Sequence, residues 1–145
     1  MFSSSPSNGG ENMALMYQMA LTAAQETVDL STAYFVPDER NSKILIDAMQ
    51  RGVKLRNITP GKITDAQTVR SASRQTWGPL LKAGAEIYEF QPTMYHCKVM
   101  VIDGFMVSVG STNFDERSFK LNDEANLNVY DAGFDCGKRA FSRTI

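Results

Sequence analysis

The sequence has few of the residues that define several common classes of protein. Histidine occurs once in 145 residues, at His96, and cysteine occurs twice, at Cys97 and Cys136. This set does not have the spacing of a zinc site or form a disulfide framework, so we expect inert thiols in a reducing compartment. No apolar stretch approaches the ~18 residues that span a bilayer. The amino terminus lacks the charged and then apolar segments of a signal peptide.

An excess of charge of either sign is also absent. Fifteen basic and sixteen acidic residues give a formal net charge of −1, so the composition does not point to a nucleic-acid partner. The hydrophobic fraction of 43% is sufficient for a packed core. We expect a single domain over residues 13–145, after a flexible lead-in at residues 1–12 that is rich in Ser, Gly, Pro and Asn.

Helix-like and strand-like patterns alternate along this domain. The predicted helices cover residues 13–25, 42–51 (capped by Asn41 or Ser42), 71–83 (with an opening at Thr64 or Asp65) and 135–145. The predicted strands cover residues 28–36, 53–58, 86–90, 98–102, 105–109 and 126–130. Gly52 and Gly84 stand where helices stop, and Asp103-Gly104 is a hairpin dipeptide. This order indicates an α/β fold with a mixed β-sheet flanked by helices.

The polar residues most suited to chemistry lie between His96 and Glu124. Side chains alternate along an extended chain, so His96 and Lys98 are predicted to point the same way. An imidazole beside an ammonium group suits an anionic substrate, because lysine binds phosphate oxygens. Ser111 and Asn113 follow the next strand and add hydrogen-bond donors. Glu124 could hold the other ring nitrogen of His96 and fix its tautomer.

These residues form the pattern H-x-K-x4-D-x6-G-S-x-N. Its fixed positions are His96, Lys98, Asp103, Gly110, Ser111 and Asn113. At about 5% per position, six chance matches have a probability of order 10⁻⁸ per start site. The pattern resembles the signature of the phospholipase D superfamily.

The resemblance covers nearly the whole chain. The segments YFVPD, RGVKL, LLKAGAEIYEF and NFDERSFKLNDE are similar to the second half of bacterial cardiolipin synthases. Members of that family contain two signatures in one polypeptide, whereas this sequence contains one. The resemblance therefore implies a phospholipase D-like half-domain, and we expect the chain to be the second half of a longer two-signature enzyme. The last predicted helix, which reaches Ile145 without a stop signal, agrees with that expectation.

The resemblance implies a phosphatidyltransferase that works through a phosphohistidine intermediate and needs two signature histidines per site. His96 could be either the nucleophile or the acid and base, and Lys98 and Asn113 would bind phosphate oxygens. No metal and no cofactor are required in the family. The implied partners are a phospholipid of the phosphatidylglycerol class, a membrane surface, and a second signature-bearing half or homodimer partner. The parent protein would be cytoplasmic and work at the inner face of the membrane.

Other signature residues are predicted to be structural. We expect Asp103 to support the local fold, and Gly110 to allow close backbone approach. Asp115 and Arg117 would shape the loop after the signature, although Arg117 could touch a headgroup. Ser111 could also be a simple turn residue.

Two alternatives remain open at this stage. The first is a homodimeric phosphodiesterase or nuclease of the same superfamily, since short members with one signature are nucleases. The chain length suits this alternative, whereas the near-neutral charge argues against it. The second is an inactive isolated half-domain that retains phosphate affinity.

Overall fold

A seven-stranded mixed sheet organises the fold. The computed structural model describes residues 1–5 and 12–131. The strands are β1 (Phe2–Ser4), β2 (Thr27–Thr32), β3 (Phe35–Val36), β4 (Lys54–Pro60), β5 (Glu86–Phe90), β6 (Lys98–Ile102), β7 (Met106–Gly110), β8 (Phe114–Asp115) and β9 (Glu124–Tyr130). The helices are α1 (Asn12–Ala23), α2 (Glu39–Gln50), α3 (Gln67–Lys82) and α4 (Glu116–Lys120).

The strand order in the large sheet is β1-β9-β7-β6-β2-β4-β5. Strands β2, β4 and β5 run parallel to one another, with α2 and α3 as the crossovers between them. Strands β6, β7 and β9 pair antiparallel, and β6 joins this half to β2. Short strands β3 and β8 form a separate parallel pair. The predicted α/β fold with a mixed sheet flanked by helices is confirmed.

The hydrophobic core lies between one face of the sheet and the helices. Leu30 in β2 and Met100 in β6 are almost fully buried on this face. Leu21 of α1, Leu45 of α2 and Leu80 of α3 cover it and belong to the same cluster. Among the described residues, no helix has both the length and the apolar character needed to cross a bilayer.

The sequence predicted the carboxyl-terminal ends of α2 and α3 correctly but not the amino-terminal cap of α2. Gly52 adopts a φ of 97° after α2, and Gly84 adopts 104° after α3, so both predicted stop signals are confirmed. The predicted cap at Asn41 or Ser42 is wrong. The side chain of Asp38 caps α2 by accepting the backbone N–H of Asn41 at 2.7 Å.

Two further predictions differ from the structure. Residues 2–4 were expected in the loop-like lead-in, but they form β1, which pairs antiparallel with β9. The predicted strand over 28–36 is broken after Thr32, and Phe35–Val36 leave the large sheet to pair with β8. The break follows long-range pairing with β8: the Phe114 N–H donates to the carbonyl of Tyr34 at 3.0 Å. The predicted helix over 135–145, with Cys136, lies outside the described residues.

Candidate active site

The predicted site residues meet at one edge of the large sheet. This edge holds the carboxyl ends of β2, β4 and β7 and the amino ends of β6 and β9, because β6 runs antiparallel to β2 and β7 runs antiparallel to β9. Lys98 begins β6 and pairs with Thr32 at the end of β2. Gly110 ends β7, and Glu124 begins β9. Sheet pairing therefore gathers residues that are far apart in sequence.

His96 lies two residues before β6, in the connection between β5 and β6, with its side chain 47% exposed. The Lys98 ammonium donates to the backbone carbonyl of His96 at 3.1 Å, so it lies against the main chain of that residue. The pair is open to solvent on one side, as a site for an anionic group on a larger substrate requires.

Asp65 stands beside the imidazole. Its Oδ2 lies 3.9 Å from Nδ1 of His96. The hydroxyl of Tyr34 donates to the same Oδ2 at 3.0 Å, and the Tyr34 ring meets the imidazole edge-on with centroids 6.1 Å apart. Sequence reasoning missed this contact, since Asp65 was considered only as a helix opener. Its place after β4, at the carboxyl end of a parallel strand, is the signal that could have found it.

Lys98 lies among several acidic groups. Partial burial lowers its pKa from the ordinary value, because loss of solvent penalises the ammonium form. The carboxylates of Asp65, Glu124 and Asp115 act in the opposite direction by attracting the cation. The ammonium is therefore subject to the charge of these carboxylates, and within the described chain its hydrogen bond goes to the His96 carbonyl.

Glu124 contacts Ser111 instead of His96. The Ser111 hydroxyl donates a short hydrogen bond to Oε2 of Glu124 and accepts the Ala125 N–H at 3.1 Å. The Asn122 amide donates to the other carboxylate oxygen at 3.3 Å. The predicted contact in which Glu124 fixes the tautomer of His96 is therefore wrong within the described chain, because the carboxylate is engaged along its own strand edge.

Asn113 is buried at the same sheet edge. Only 7% of the residue is exposed, and its Oδ1 lies 3.5 Å from the hydroxyl of Thr32. Thr32 is in turn the sheet partner of Lys98. The structure thus brings Asn113 close to the strand end that holds Lys98, while Ser111 is exposed beside Glu124.

Asp103 lies in the turn that joins β6 and β7, away from the amino end of β6. Its carboxylate accepts three backbone N–H groups, from Gln25 at 2.9 Å and from Glu26 and Thr27 at 2.8 Å. The turn needs positive φ at both central positions, 54° at Asp103 and 65° at Gly104. Asp103 therefore fastens the hairpin turn to the start of β2.

The remaining signature-region residues shape the backbone. A Cβ at Gly110 would lie 2.1 Å from the carbonyl oxygen of Ala125, so only glycine fits against β9. Asp115 caps α4 by accepting the Ser118 N–H at 2.7 Å, and burial raises the pKa of its carboxyl. Arg117 is exposed on α4. The described residues contain no group of three or more His, Cys, Asp or Glu side chains that could hold a metal ion.

Comparison with known sequences agrees with the resemblance that the signature residues indicate. Residues 17–140 match the family described as cardiolipin synthase, PLD-like domain. A probable cardiolipin synthase of Bacillus subtilis is 40% identical over 122 residues, which are 84% of this chain and 24% of the relative. Cardiolipin synthase A of Pseudomonas aeruginosa is 37% identical over 131 residues, which are 90% of this chain and 26% of the relative. The chain spans about a quarter of the length of these relatives.

Solved structures show the same fold. Nuc from Salmonella typhimurium, a phospholipase D family member, has a TM-score of 0.77 at 19% identity, over 92% of this chain and 84% of that chain. Phosphatidylserine synthase from Haemophilus influenzae has a TM-score of 0.71 at 12% identity, over 90% of this chain and 34% of that chain. At these identities the comparison establishes the fold.

Proposed function

The chain belongs to the cardiolipin synthase, phospholipase D-like family, and from this we propose that it supplies one signature-bearing half of a phosphatidyltransferase. The observation that supports the proposal is the placement of His96 and Lys98 side by side at one sheet edge, with Asn113 at the same edge. The proposed substrate is a phospholipid of the phosphatidylglycerol class.

Each of these residues has a role in the proposed reaction. One signature histidine attacks phosphorus, and the bond from phosphorus to the headgroup oxygen breaks. The other histidine gives that oxygen a proton, then takes one from the acceptor hydroxyl, which attacks phosphorus and frees the first histidine. Lys98 and Asn113 offset the negative charge on the phosphate oxygens. His96 can fill either histidine role.

A complete site needs two such histidines, and this sequence has one. The proposed enzyme therefore forms where a second copy of the chain, or a second signature-bearing half, brings another histidine to His96. Because the substrate lies in a bilayer, the enzyme would act at a membrane surface, and we place it on the cytoplasmic face.

A homodimeric phosphodiesterase that acts on nucleic acid is the second candidate. Similarity in fold to Nuc, a phospholipase D family member of which this chain covers 84%, favours it. The net charge of −1 does not, since proteins that follow a phosphate backbone usually have basic patches. The third candidate is a half-domain that binds phosphate without turnover.

Light scattering during size-exclusion chromatography separates these cases when each fraction is assayed with phosphatidylglycerol vesicles and with single-stranded DNA. A mass near twice 16.1 kDa with cardiolipin formation supports the proposal. A monomer that turns over contradicts it. For an inactive monomer or dimer, inorganic phosphate is expected to shift the imidazole NMR signals of His96, and unchanged signals would contradict the half-site.

Mixing with the His96→Ala chain tests the two-histidine requirement in an active dimer. His96 is half-exposed, so we expect the variant to fold and to have no turnover. In an equal mixture with wild type, only about a quarter of the dimers hold two histidines, and activity falls to that fraction. Activity near three quarters would show that one histidine per dimer is enough, and activity near one half, in proportion to the wild-type chain, would show that each chain works by itself; either result contradicts the two-histidine requirement.

A further inference from the structure

We propose that Asp65 is the positioning residue for His96: it holds the proton on Nδ1 and so leaves Nε2 free to act on phosphorus. This inference rests on the proposed function for its consequence in turnover. Its structural part, the choice of tautomer, stands on the contacts around the imidazole alone.

The carboxylate of Asp65 is held in place on both oxygens. Tyr34 donates its hydroxyl to Oδ2 at 3.0 Å, and Thr64 donates its hydroxyl to Oδ1 at 3.3 Å. The Tyr34 ring also packs edge-on against the imidazole, with an interplanar angle of 86°. One aromatic residue therefore fixes both the ring of His96 and the oxygen that faces it.

The oxygen that Tyr34 holds is the one that faces Nδ1 of His96, at 3.9 Å. This separation permits an ion pair with the imidazolium but is about 1 Å longer than an N–H···O hydrogen bond. Such contacts are often long before substrate is bound and shorten in the reacting complex. Asp65 lies between the end of β4 and the start of α3, outside both elements, so a shift of this size does not disturb the sheet.

A carboxylate at Nδ1 decides what the other nitrogen can do. It favours the tautomer with the proton on Nδ1, so the lone pair of Nε2 is available to attack phosphorus or to accept a proton. If His96 is instead the proton donor, the same carboxylate stabilises the imidazolium that must form. Asp65 serves either role of His96 without contacting the substrate.

Glu124 is the competing carboxylate and has other partners. It is 7% exposed and engaged by Ser111 on one oxygen and by Asn122 on the other. Among the described residues, the hydrogen bonds of the Glu124 carboxylate go to these two partners and none joins it to His96. The described chain therefore favours Asp65.

The test reads the tautomer directly. His96 is the sole histidine, so ¹⁵N-histidine labelling gives one set of ring signals. For the neutral ring, measured at alkaline pH, we expect the Nδ1–H form in wild type and the Nε2–H form, which free histidine prefers, in Asp65→Ala. Tyr34→Phe, which keeps the ring and removes the hydroxyl, should shift the population in the same direction by a smaller amount.

Asp47→Ala is the matched control. The Asp47 side chain is 46% exposed, close to the 41% of Asp65, and it pairs only with surface Lys43 in the described contacts. We expect this variant to keep the wild-type tautomer and turnover. In an active preparation, Asp65→Ala should lower kcat about 10- to 100-fold with little change in KM.

Several results would overturn the inference. They are an Nε2–H form in wild type, a tautomer that responds to Glu124→Gln and not to Asp65→Ala, or an altered tautomer with unchanged turnover. The proposed function fails separately, when His96→Ala keeps its turnover whatever the tautomer. In a chain that does not turn over, the tautomer alone decides the role of Asp65.

Discussion

Removal of the Asp103 carboxylate should weaken the fold and leave the reacting groups in place. The carboxylate accepts three backbone N–H groups where the β6–β7 turn meets the start of β2. Asp103→Gly removes all three hydrogen bonds and accepts the φ of 54° without strain. The comparison variant Asp103→Asn keeps one neutral acceptor oxygen and also tolerates this φ.

The expected magnitude follows from the exposure of the donors. A hydrogen bond to a charged group contributes about 1.5–3 kcal/mol. Two of the three donors, at Gln25 and Glu26, are exposed, so water replaces much of their share, while the Thr27 donor is partly buried. We therefore expect Asp103→Gly to lower the free energy of unfolding by about 2–4 kcal/mol, and Asp103→Asn by about 1–2 kcal/mol.

Urea unfolding at 25 °C measures these differences. Trp77 is the sole tryptophan, is buried, and donates its indole N–H to the carbonyl of Phe35, so its fluorescence reports the core. The reasoning would be refuted if Asp103→Gly unfolded within about 0.5 kcal/mol of wild type. Loss of turnover at full stability would mean that Asp103 acts on the chemistry.

Three further predictions concern the sheet edge, the pH dependence and metals. Gly110→Ala should lower the free energy of unfolding by about 1–3 kcal/mol or more, because the added Cβ meets the Ala125 carbonyl. Gly78→Ala is the comparison variant and should stabilise α3, because nothing lies within 4 Å of its Cβ position. Equal urea midpoints for the two variants would contradict this prediction. Phosphate binding should weaken as pH rises, because Lys98 loses its charge. Burial lowers the pKa of Lys98, so the weakening should begin at a lower pH than for an ordinary lysine. Lys98→Arg stays charged and should bind through that range; superimposable pH profiles would oppose the assignment. Turnover should persist in EDTA, since protein cations and amides stabilise the phosphate charge, and a loss of activity would indicate metal-dependent chemistry.

Local patterns predicted most of the sheet and the carboxyl ends of α2 and α3. Alternating apolar residues and the positive-φ glycines report on backbone preferences within a few residues, so Gly52, Gly84 and the Asp103-Gly104 turn were readable. The break after Thr32 and strand β1 were not, because each depends on a partner strand far away in sequence.

In the candidate site, too, local features were predicted from the sequence and long-range contacts were not. The spacing of His96 and Lys98 predicted that their side chains point the same way, and the structure places the Lys98 ammonium against the backbone carbonyl of His96. The carboxylate beside His96 was assigned to Glu124 from its position near the signature. The contact with Asp65 arises because the end of β4 and the start of β6 reach the same sheet edge, which requires the strand order.

The central claim is that His96 works on phosphorus. Peptide mapping by mass spectrometry after an alkaline quench, which preserves phosphoramidates, tests it in the dimeric fraction incubated with phosphatidylglycerol. We predict a phosphatidyl adduct on the peptide with His96, and no adduct or cardiolipin in the His96→Ala chain. Cardiolipin formed without an adduct, or with phosphorus attached to another side chain such as the exposed thiol of Cys97, would contradict it.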